Sequence, residues 1–238
     1  MSKPLAYLTL VLSVAFAAAP VFSGDFTGFS ADQLPVPQID PPVQPAGYAF
    51  AIWGPIYLWL IVSAIWGVIF RADDPEWTAA RVPLCISLAV GVPWLLIAQS
   101  SAVWATVTIL IMAAAAISAL HRTPRVNRWW LRGPVALYAG WLTAASFVSL
   151  ATTLAGYGIL MDSYGWAFAG IGGALIVTIL TYRRTAAPVY LGAVIWALVG
   201  IAVANGMANF LVSAMAITGI IVLICVLAMW APLINRAI

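Results

Sequence analysis

Charged residues are scarce in this sequence. Only 7% of its 238 residues are Asp, Glu, Lys or Arg, while 64% are hydrophobic. A soluble domain carries about 25% charged residues. A chain of this composition cannot cover a water-exposed surface with polar groups. The shortage therefore excludes a soluble globular protein and predicts an all-α integral membrane protein that crosses the bilayer several times.

Groups that carry metal, redox or hydrolytic chemistry are equally scarce. The single histidine is His121, and the two cysteines, Cys85 and Cys225, are far apart in sequence. There is no CxxC or Cys/His cluster and no GxSxG, HExxH or Walker pattern. The basic residues lie between apolar stretches and form no dense patch, so nucleic acid is not an expected partner. We expect no metal, no certain cofactor and, on balance, no enzyme.

Eight apolar stretches are long enough, or nearly so, to cross a hydrocarbon core of about 30 Å. They are Pro4–Phe22, Tyr48–Phe70, Val82–Gln99, Ala102–Leu120, Pro134–Leu154, Tyr164–Tyr182, Pro188–Ala204 and Phe210–Ile234. The first resembles a signal peptide, but its apolar run is as long as a spanning helix, so we expect it to be retained. No Asp, Glu, Lys, Arg or His lies in any of the eight, which argues against a proton pump or an ion-coupled carrier.

The distribution of charge predicts the orientation. With a cytoplasmic N-terminus, eight spans place all ten basic residues on the cytoplasmic side, Arg125 and Arg236 among them. The acids left outside are Asp25, Asp32, Asp40 and Asp162. Positive residues accumulate in cytoplasmic loops. We therefore expect both termini in the cytoplasm.

The longest polar segment runs from Ser23 to Gly47 and is rich in proline. Residues that precede proline are pushed away from the helical region, so this segment is predicted to be extended and irregular. It is long enough to lie over the mouth of the helix bundle as a lid. A plain connector is the alternative.

Aromatic residues are concentrated between Pro45 and Phe70. At about 100° per residue, Trp53 and Tyr57 share one face of the predicted helix, whereas Trp59 and Trp66 share another. We interpret the first face as one wall of a ligand site. Membership of the interfacial aromatic belt, or ordinary helix packing, is the alternative.

A facing wall is available in predicted spans three and five. Trp94, Tyr138 and Trp141 lie there, among the twelve tryptophans of the chain. A cavity between two such walls suits a flat, apolar ligand that binds by stacking and by burial of surface. Ordinary packing is again the alternative for each ring.

Two segments carry a family resemblance: PAGYAFAIWGPIY at 45–57 and LYAGWLTAA at 137–145. They resemble the TspO/MBR family, the translocator or tryptophan-rich sensory proteins. The resemblance implies a five-helix bundle over residues 1–157 that binds porphyrins or sterol-like ligands. Residues 158–238 would be a three-helix C-terminal extension, like that of longer bacterial relatives. It further implies a bacterial inner membrane and a possible homodimer.

The resemblance also implies a set of ligand-binding residues. These are Tyr48, Phe50, Trp53, Tyr57, Trp94, Tyr138, Trp141, Ala145 and Ser149. Four positions depart from the family pattern: Ala46 and Leu137 stand where prolines are common, and Gly91 and Ser149 where asparagines are common. The loss of two amides makes the pocket less polar. An isoprenoid-like ligand is therefore an alternative to a porphyrin.

Three classes of function follow from these observations. The first is a membrane protein that binds or moves a flat apolar ligand such as a tetrapyrrole, sterol or isoprenoid. The second is a structural or assembly subunit of a membrane complex, whose extra helices contact a partner. The third is a porphyrin-degrading enzyme that uses tryptophan redox chemistry.

Overall fold

A computed structural model of the protein describes residues 2–24, 26, 28–124 and 127–235. Asp25, Arg125 and Arg236, which contribute to the predicted distribution of charge across the membrane, lie outside these ranges. Within them all regular structure is helical, and no strand occurs. The helices are α1 (Ser2–Ser23), α2 (Trp53–Phe70), α3 (Pro75–Gly91), α4 (Trp94–Ser100), α5 (Ala102–His121), α6 (Gly133–Gly156), α7 (Ser163–Thr185), α8 (Pro188–Asn205) and α9 (Phe210–Asn235). A 3₁₀ turn, Gly47–Ile52, leads into α2, and a π-helical turn, Arg128–Arg132, leads into α6.

Most of these helices have the length of a membrane span. Seven are long and apolar enough to cross a bilayer singly when the turns before α2 and α6 are included. The remaining pair, α3 and α4, is long and apolar enough only when taken together, and it is bent by 40° at its break, as in a broken span or a re-entrant loop. Counting that pair as one span gives the predicted eight. The predicted class, an all-α multi-pass membrane protein, is confirmed.

The third span differs from its prediction, because α3 begins at Pro75 instead of Val82. The Asp74 carboxylate accepts a hydrogen bond from the N–H of Glu76 at 2.9 Å, and proline fits the first turn of a helix. The helix breaks at Pro93, which has no N–H to donate and whose ring clashes with the preceding turn. The span is therefore two helices, with Trp94 at the start of the second.

This earlier start places Arg81, which the sequence analysis predicts in a loop, near the start of α3. That no charged residue lies within the apolar part of a span stays a prediction. Arg81 is only 2% exposed, and its guanidinium donates to the carbonyl oxygens of Gly67, Arg71 and Ala72 at 2.8, 3.0 and 3.3 Å. The carbonyls at a helix C-terminus lack partners within the helix and favour a nearby cation. Arg81 thus ties the end of α2 to α3.

Helix α6 forms the centre of the bundle. Of the most apolar 18 residues in the span that contains α6, 72% are buried. The corresponding share is 22–50% in the other six spans. It packs against α5, α7 and α8. The approach to α8 depends on Gly140: a Cβ there would lie 2.5 Å from the Tyr190 carbonyl oxygen and 2.8 Å from the Ala193 Cβ. A glycine at this position lets the two backbones approach.

The last three helices pack directly on this centre. Helix α7 lies against α6, and α9 lies against α7 and α8. One hydrophobic cluster joins α1–α6 with Tyr190, Ala193 and Ala197 of α8. A second joins α7–α9 with Val43 of the N-terminal half. The predicted division into 1–157 and 158–238 stays a prediction, and α8 contributes to both clusters.

Candidate ligand cavity

The proline-rich connector covers one end of the bundle. We call residues 24–46, apart from Asp25 and Thr27, the lid. The Val36 N–H donates to the Gly156 carbonyl at 2.8 Å, at the end of α6. The Gln33 side chain donates to the Ala98 carbonyl of α4 at 3.0 Å. Between these bonds Leu34 is buried, with its side chain against Gly156.

The second half of the lid is bonded to α7 and α8. The Ser163 hydroxyl donates to the Gln38 side chain at 3.1 Å. The Asn205 side chain donates to the Pro42 carbonyl at 2.8 Å, and the Ala46 N–H donates to the Gly200 carbonyl at 3.0 Å. Lid prolines have no N–H to donate, so the backbone donors among these contacts are the N–H groups of Val36 and Ala46, and Pro42 takes part through its carbonyl. The segment is therefore a docked lid and not a plain connector.

An apolar cavity in two compartments lies beneath the lid. The first, which we call the α6 compartment, has a volume of about 60 Å³. The second, the α1 compartment, has a volume of about 380 Å³. They share a partition of five lining residues: Phe26, Phe50, Trp53, Trp94 and Ile109. Ligand cavities typically measure about 300–1,000 Å³, so the α1 compartment is of ligand size and the α6 compartment is a narrow extension of it.

One stripe of α6 forms a wall of the α6 compartment. Its residues are Trp141, Ala144, Ala145, Val148, Ser149 and Thr152. Steps of three and four residues keep them on one face of a helix over three turns. Gln44 and Pro45 of the lid line the same compartment, as does Ala197 of α8. The lid and the C-terminal helices therefore both contribute to this wall.

Stacked and edge-on rings surround the α1 compartment. Trp53 stacks on Tyr57 with ring centroids 5.4 Å apart and planes at 17°. Both rings meet Phe16 of α1 edge-on, at 5.7 and 5.3 Å. Trp141 meets Phe50 and Trp53 edge-on at 5.9 and 6.1 Å. Rings from α1, α2 and α6 thus hold one another in fixed orientations around the space.

The two aromatic faces predicted for α2 make separate sets of contacts. Trp59 donates its indole N–H to the Trp129 carbonyl at 2.9 Å, away from the cavity. Trp66 stacks on Trp130 at 3.9 Å. These contacts hold the second aromatic face against the turn that precedes α6. The first face, with Trp53, lines the cavity.

Trp94 reaches the cavity because of the break at Pro93. Its indole N–H donates to the Ala105 carbonyl at 3.0 Å, which fixes the ring against α5. Phe26 of the lid packs edge-on against it at 5.2 Å. The ring therefore belongs to the partition between the two compartments.

Two residues of the predicted set do not line either compartment. Tyr48 is 45% exposed and packs edge-on against Trp196 at 5.7 Å, because the 3₁₀ turn directs it towards α8. Tyr138 is fully buried, and its hydroxyl is bonded to the Ser87 hydroxyl at 2.9 Å. Both serve packing between helices. Phe50, Trp53, Tyr57, Trp94, Trp141, Ala145 and Ser149 line one or both compartments.

Some lining residues were missed by the sequence analysis. Phe16, Phe26 and Ala197 come from α1, the lid and α8, and only the tertiary arrangement brings them together. Thr152 had a detectable signal, since it lies eleven residues after Trp141 and extends the α6 stripe by two turns beyond Ala145. Among the described residues, none that lines either compartment is charged.

Fold and cavity together define a class: a multi-pass helical membrane protein with an aromatic, uncharged cavity beneath a docked lid. A family model described as TSPO-like protein matches residues 3–229. The chain belongs to this family. The match extends through α7, α8 and nearly all of α9, beyond the 157 residues over which the resemblance was noted. Comparisons with curated proteins and with solved structures gave no match.

Proposed function

We propose that this protein binds a flat, apolar small molecule in the cavity beneath the lid, as a sensor or carrier of a tetrapyrrole, sterol- or isoprenoid-like ligand. One observation carries the proposal: rings from four separate elements converge on an uncharged cavity whose larger compartment, of about 380 Å³, is of ligand size. Phe26, Phe50, Trp53 and Trp94 form its partition, and Trp141 lines one side. Flat faces and edges of this kind recognise a planar apolar body.

The packing around the rings favours a preformed site. The rings are held edge-on or stacked by their neighbours, and the Trp94 indole is hydrogen-bonded to α5. A preorganised site loses little side-chain entropy when a ligand binds. The lining offers contact area and no acid or base. Binding, and not turnover, is therefore the function that this arrangement supports best.

The test is a fluorescence titration with protoporphyrin, both as the free acid and as its dimethyl ester. At least one form should quench tryptophan fluorescence saturably in the micromolar range. Trp53→Phe combined with Trp141→Phe should raise the Kd of the porphyrin roughly tenfold. Each substitution replaces an indole by a smaller ring and so weakens a ring contact worth about 0.5–1.5 kcal/mol.

Trp104→Phe is the matched control. Trp104 is 64% exposed on the outer face of α5 and lines neither compartment. Its replacement should leave the Kd unchanged. A linear, non-saturating response of the folded wild-type protein to both porphyrins would refute the proposal.

We further propose that the lid faces the outside of a bacterial inner membrane, with the N-terminus in the cytoplasm. The chain order supports this orientation: the eight basic residues of the described ranges all lie at the end of the bundle opposite the lid. Lys3, for example, pairs with Asp73 in the turn between α2 and α3 at 3.4 Å. Positive charge collects on the cytoplasmic side.

Cysteine labelling in intact cells tests this orientation. In a chain whose native cysteines are replaced by serine, Ile39→Cys in the lid should react with a membrane-impermeant maleimide. Glu76→Cys, at the start of α3, should react only after permeabilisation. Both positions are exposed. The reverse pattern would show the opposite orientation.

A further inference from the structure

The end of the bundle opposite the lid carries two groups of basic residues that differ in their balance of charge. The first group lies beside the turn between α2 and α3. Lys3 pairs there with Asp73 at 3.4 Å, and Arg71 pairs with Asp74 at 3.9 Å. Acidic side chains therefore balance the positive charge of the first group.

The second group has no acidic side chain nearby in sequence. Its arginines lie where α5 and α7 end and where α6 begins: Arg122, Arg128, Arg132, Arg183 and Arg184. Between Glu76 and the last residue of the sequence the only acid is Asp162. Asp162 accepts a hydrogen bond from the Gly165 N–H at the start of α7, which is the lid end of that helix. The second group is therefore a concentration of positive charge.

Three of these arginines come together around the end of α5. Arg132 is only 8% exposed, and its guanidinium donates to the Thr123 carbonyl and hydroxyl oxygens at 3.0 and 3.1 Å. Arg122 immediately precedes Thr123. Arg184 and Arg132 both lie within electrostatic range of the His121 ring, and α5 contacts α7. We call Arg122, Arg132 and Arg184 the arginine cluster.

The cluster is suited to bind an anion. Arg122 and Arg184 are exposed, and neither makes an ion pair or a side-chain hydrogen bond with any residue in the described ranges. Like charges that lie close together repel, and an anion between them relieves that repulsion. The planar guanidinium fork matches the oxygens of a phosphate group. A phosphate is therefore the anion that this cluster fits best.

The surroundings of the cluster favour a phospholipid over a soluble phosphate. On α7, Ile176 and Leu180 precede Arg184 in steps of four residues and are exposed, and Ile111 is exposed on α5. These side chains offer an apolar surface to acyl chains next to the arginines. Trp129, at the start of α6, is 72% exposed at the same end of the bundle. Tryptophan is enriched at the depth of the lipid headgroups.

We propose that the arginine cluster binds the phosphate of an anionic phospholipid whose acyl chains lie along α5 and α7. Basic pockets between membrane helices bind such headgroups, and each arginine beside one strengthens binding about fivefold. This site is separate from the cavity beneath the lid, so it stands or falls independently of the proposed function. A lipid that binds only the folded chain also stabilises it.

The test compares two lipids of equal chain length, dioctanoyl phosphatidylglycerol and dioctanoyl phosphatidylcholine. Each is titrated into the full chain in an uncharged detergent, and the rise of the Tm with lipid concentration gives the Kd. The phosphatidylglycerol should bind at least about tenfold more tightly, because it adds a net negative charge at the arginine cluster. Equal affinity for the two lipids would overturn the proposal.

Two charge-matched double variants locate the site. Arg122→Gln with Arg184→Gln should weaken binding of phosphatidylglycerol about tenfold or more and leave phosphatidylcholine unchanged. Lys3→Gln with Arg71→Gln removes the same charge from the same end of the bundle, but from the balanced group. This control should keep the Kd for phosphatidylglycerol within about twofold of wild type. Equal losses in both variants would show a general attraction to the basic end and would contradict the assigned site.

Inorganic phosphate distinguishes a lipid from a soluble anion. It should raise the Tm of the wild-type chain no more than sodium chloride at equal ionic strength, because it lacks acyl chains. If inorganic phosphate stabilises the chain as strongly as phosphatidylglycerol does, and the Arg122→Gln, Arg184→Gln variant loses the effect, the occupant is a soluble anion. The assignment of a lipid would then be wrong.

Discussion

Replacing Ala145 by tryptophan should weaken ligand binding by roughly 10- to 100-fold while leaving the protein folded. Ala145 lies in the middle of the α6 stripe and lines the compartment. An indole at this position projects into the α6 compartment, which holds only about 60 Å³, and therefore presses on the partition rings beside the α1 compartment. The ligand must then compete with the ring for the same volume. Forced overpacking costs about 1–3 kcal/mol, which is the source of the expected loss.

Ala114→Trp on α5 is the control for this substitution. It adds the same ring at an exposed position that lines neither compartment. Titration of protoporphyrin dimethyl ester should give a wild-type Kd for Ala114→Trp and a strongly raised Kd for Ala145→Trp. Thermal unfolding in detergent should show a cooperative transition for both, with a lower midpoint for Ala145→Trp because its ring overfills the α6 compartment. Unimpaired binding by Ala145→Trp would mean that the ligand lies elsewhere.

The largest loss of stability is expected from Gly140→Val. A Cβ at Gly140 would approach the Tyr190 carbonyl oxygen to 2.5 Å. That atom belongs to the backbone and cannot rotate away, so α6 and α8 must separate. Separation also stretches the hydrogen bond between the Thr143 and Tyr190 hydroxyls, now 2.8 Å. Overpacking and the lost bond together amount to about 3 kcal/mol.

Thermal unfolding in detergent measures this effect. At about 2–4 °C per kcal/mol for a chain of this size, Gly140→Val should lower the Tm by about 6–12 °C. Gly192→Val on α8 is the matched control, since nothing lies within 4 Å of a Cβ built there. Its Tm should stay within about 2 °C of wild type, as is usual for substitutions away from packed contacts. Equal shifts for both variants would show that the contact between α6 and α8 is not a determinant of stability.

The multi-pass topology could be predicted because it depends on local properties. Length, hydropathy and the placement of arginines are read directly from the chain, and the turn at Ser100–Ser101 was correctly placed between two helices. The start of α3 was missed although Asp74 and Pro75 form a helix-start pattern. The hydropathy of the segment rises only at Val82, so hydropathy alone predicts a later start. Arg81 then falls in a predicted loop, whereas in the structure it lies in α3 and donates to carbonyls at the end of α2 and in the turn that follows.

The cavity could be predicted only where a single helix defines it. The spacing of Trp53 and Tyr57 located one wall, and the stripe that begins at Trp141 located another. Phe26 and Ala197 could not be found in this way. Their positions depend on how the lid and α8 pack, and on long-range contacts such as the bond from the Ala46 N–H to the Gly200 carbonyl.

The most direct test is to locate a bound ligand. A brominated, uncharged porphyrin, soaked or co-crystallised with the full chain, gives an anomalous signal that marks its position. We expect bromine peaks beneath the lid, in the cavity lined by the Trp53 and Trp94 rings. Peaks confined to the lipid-facing surface of the helices, with the cavity still empty, would contradict it.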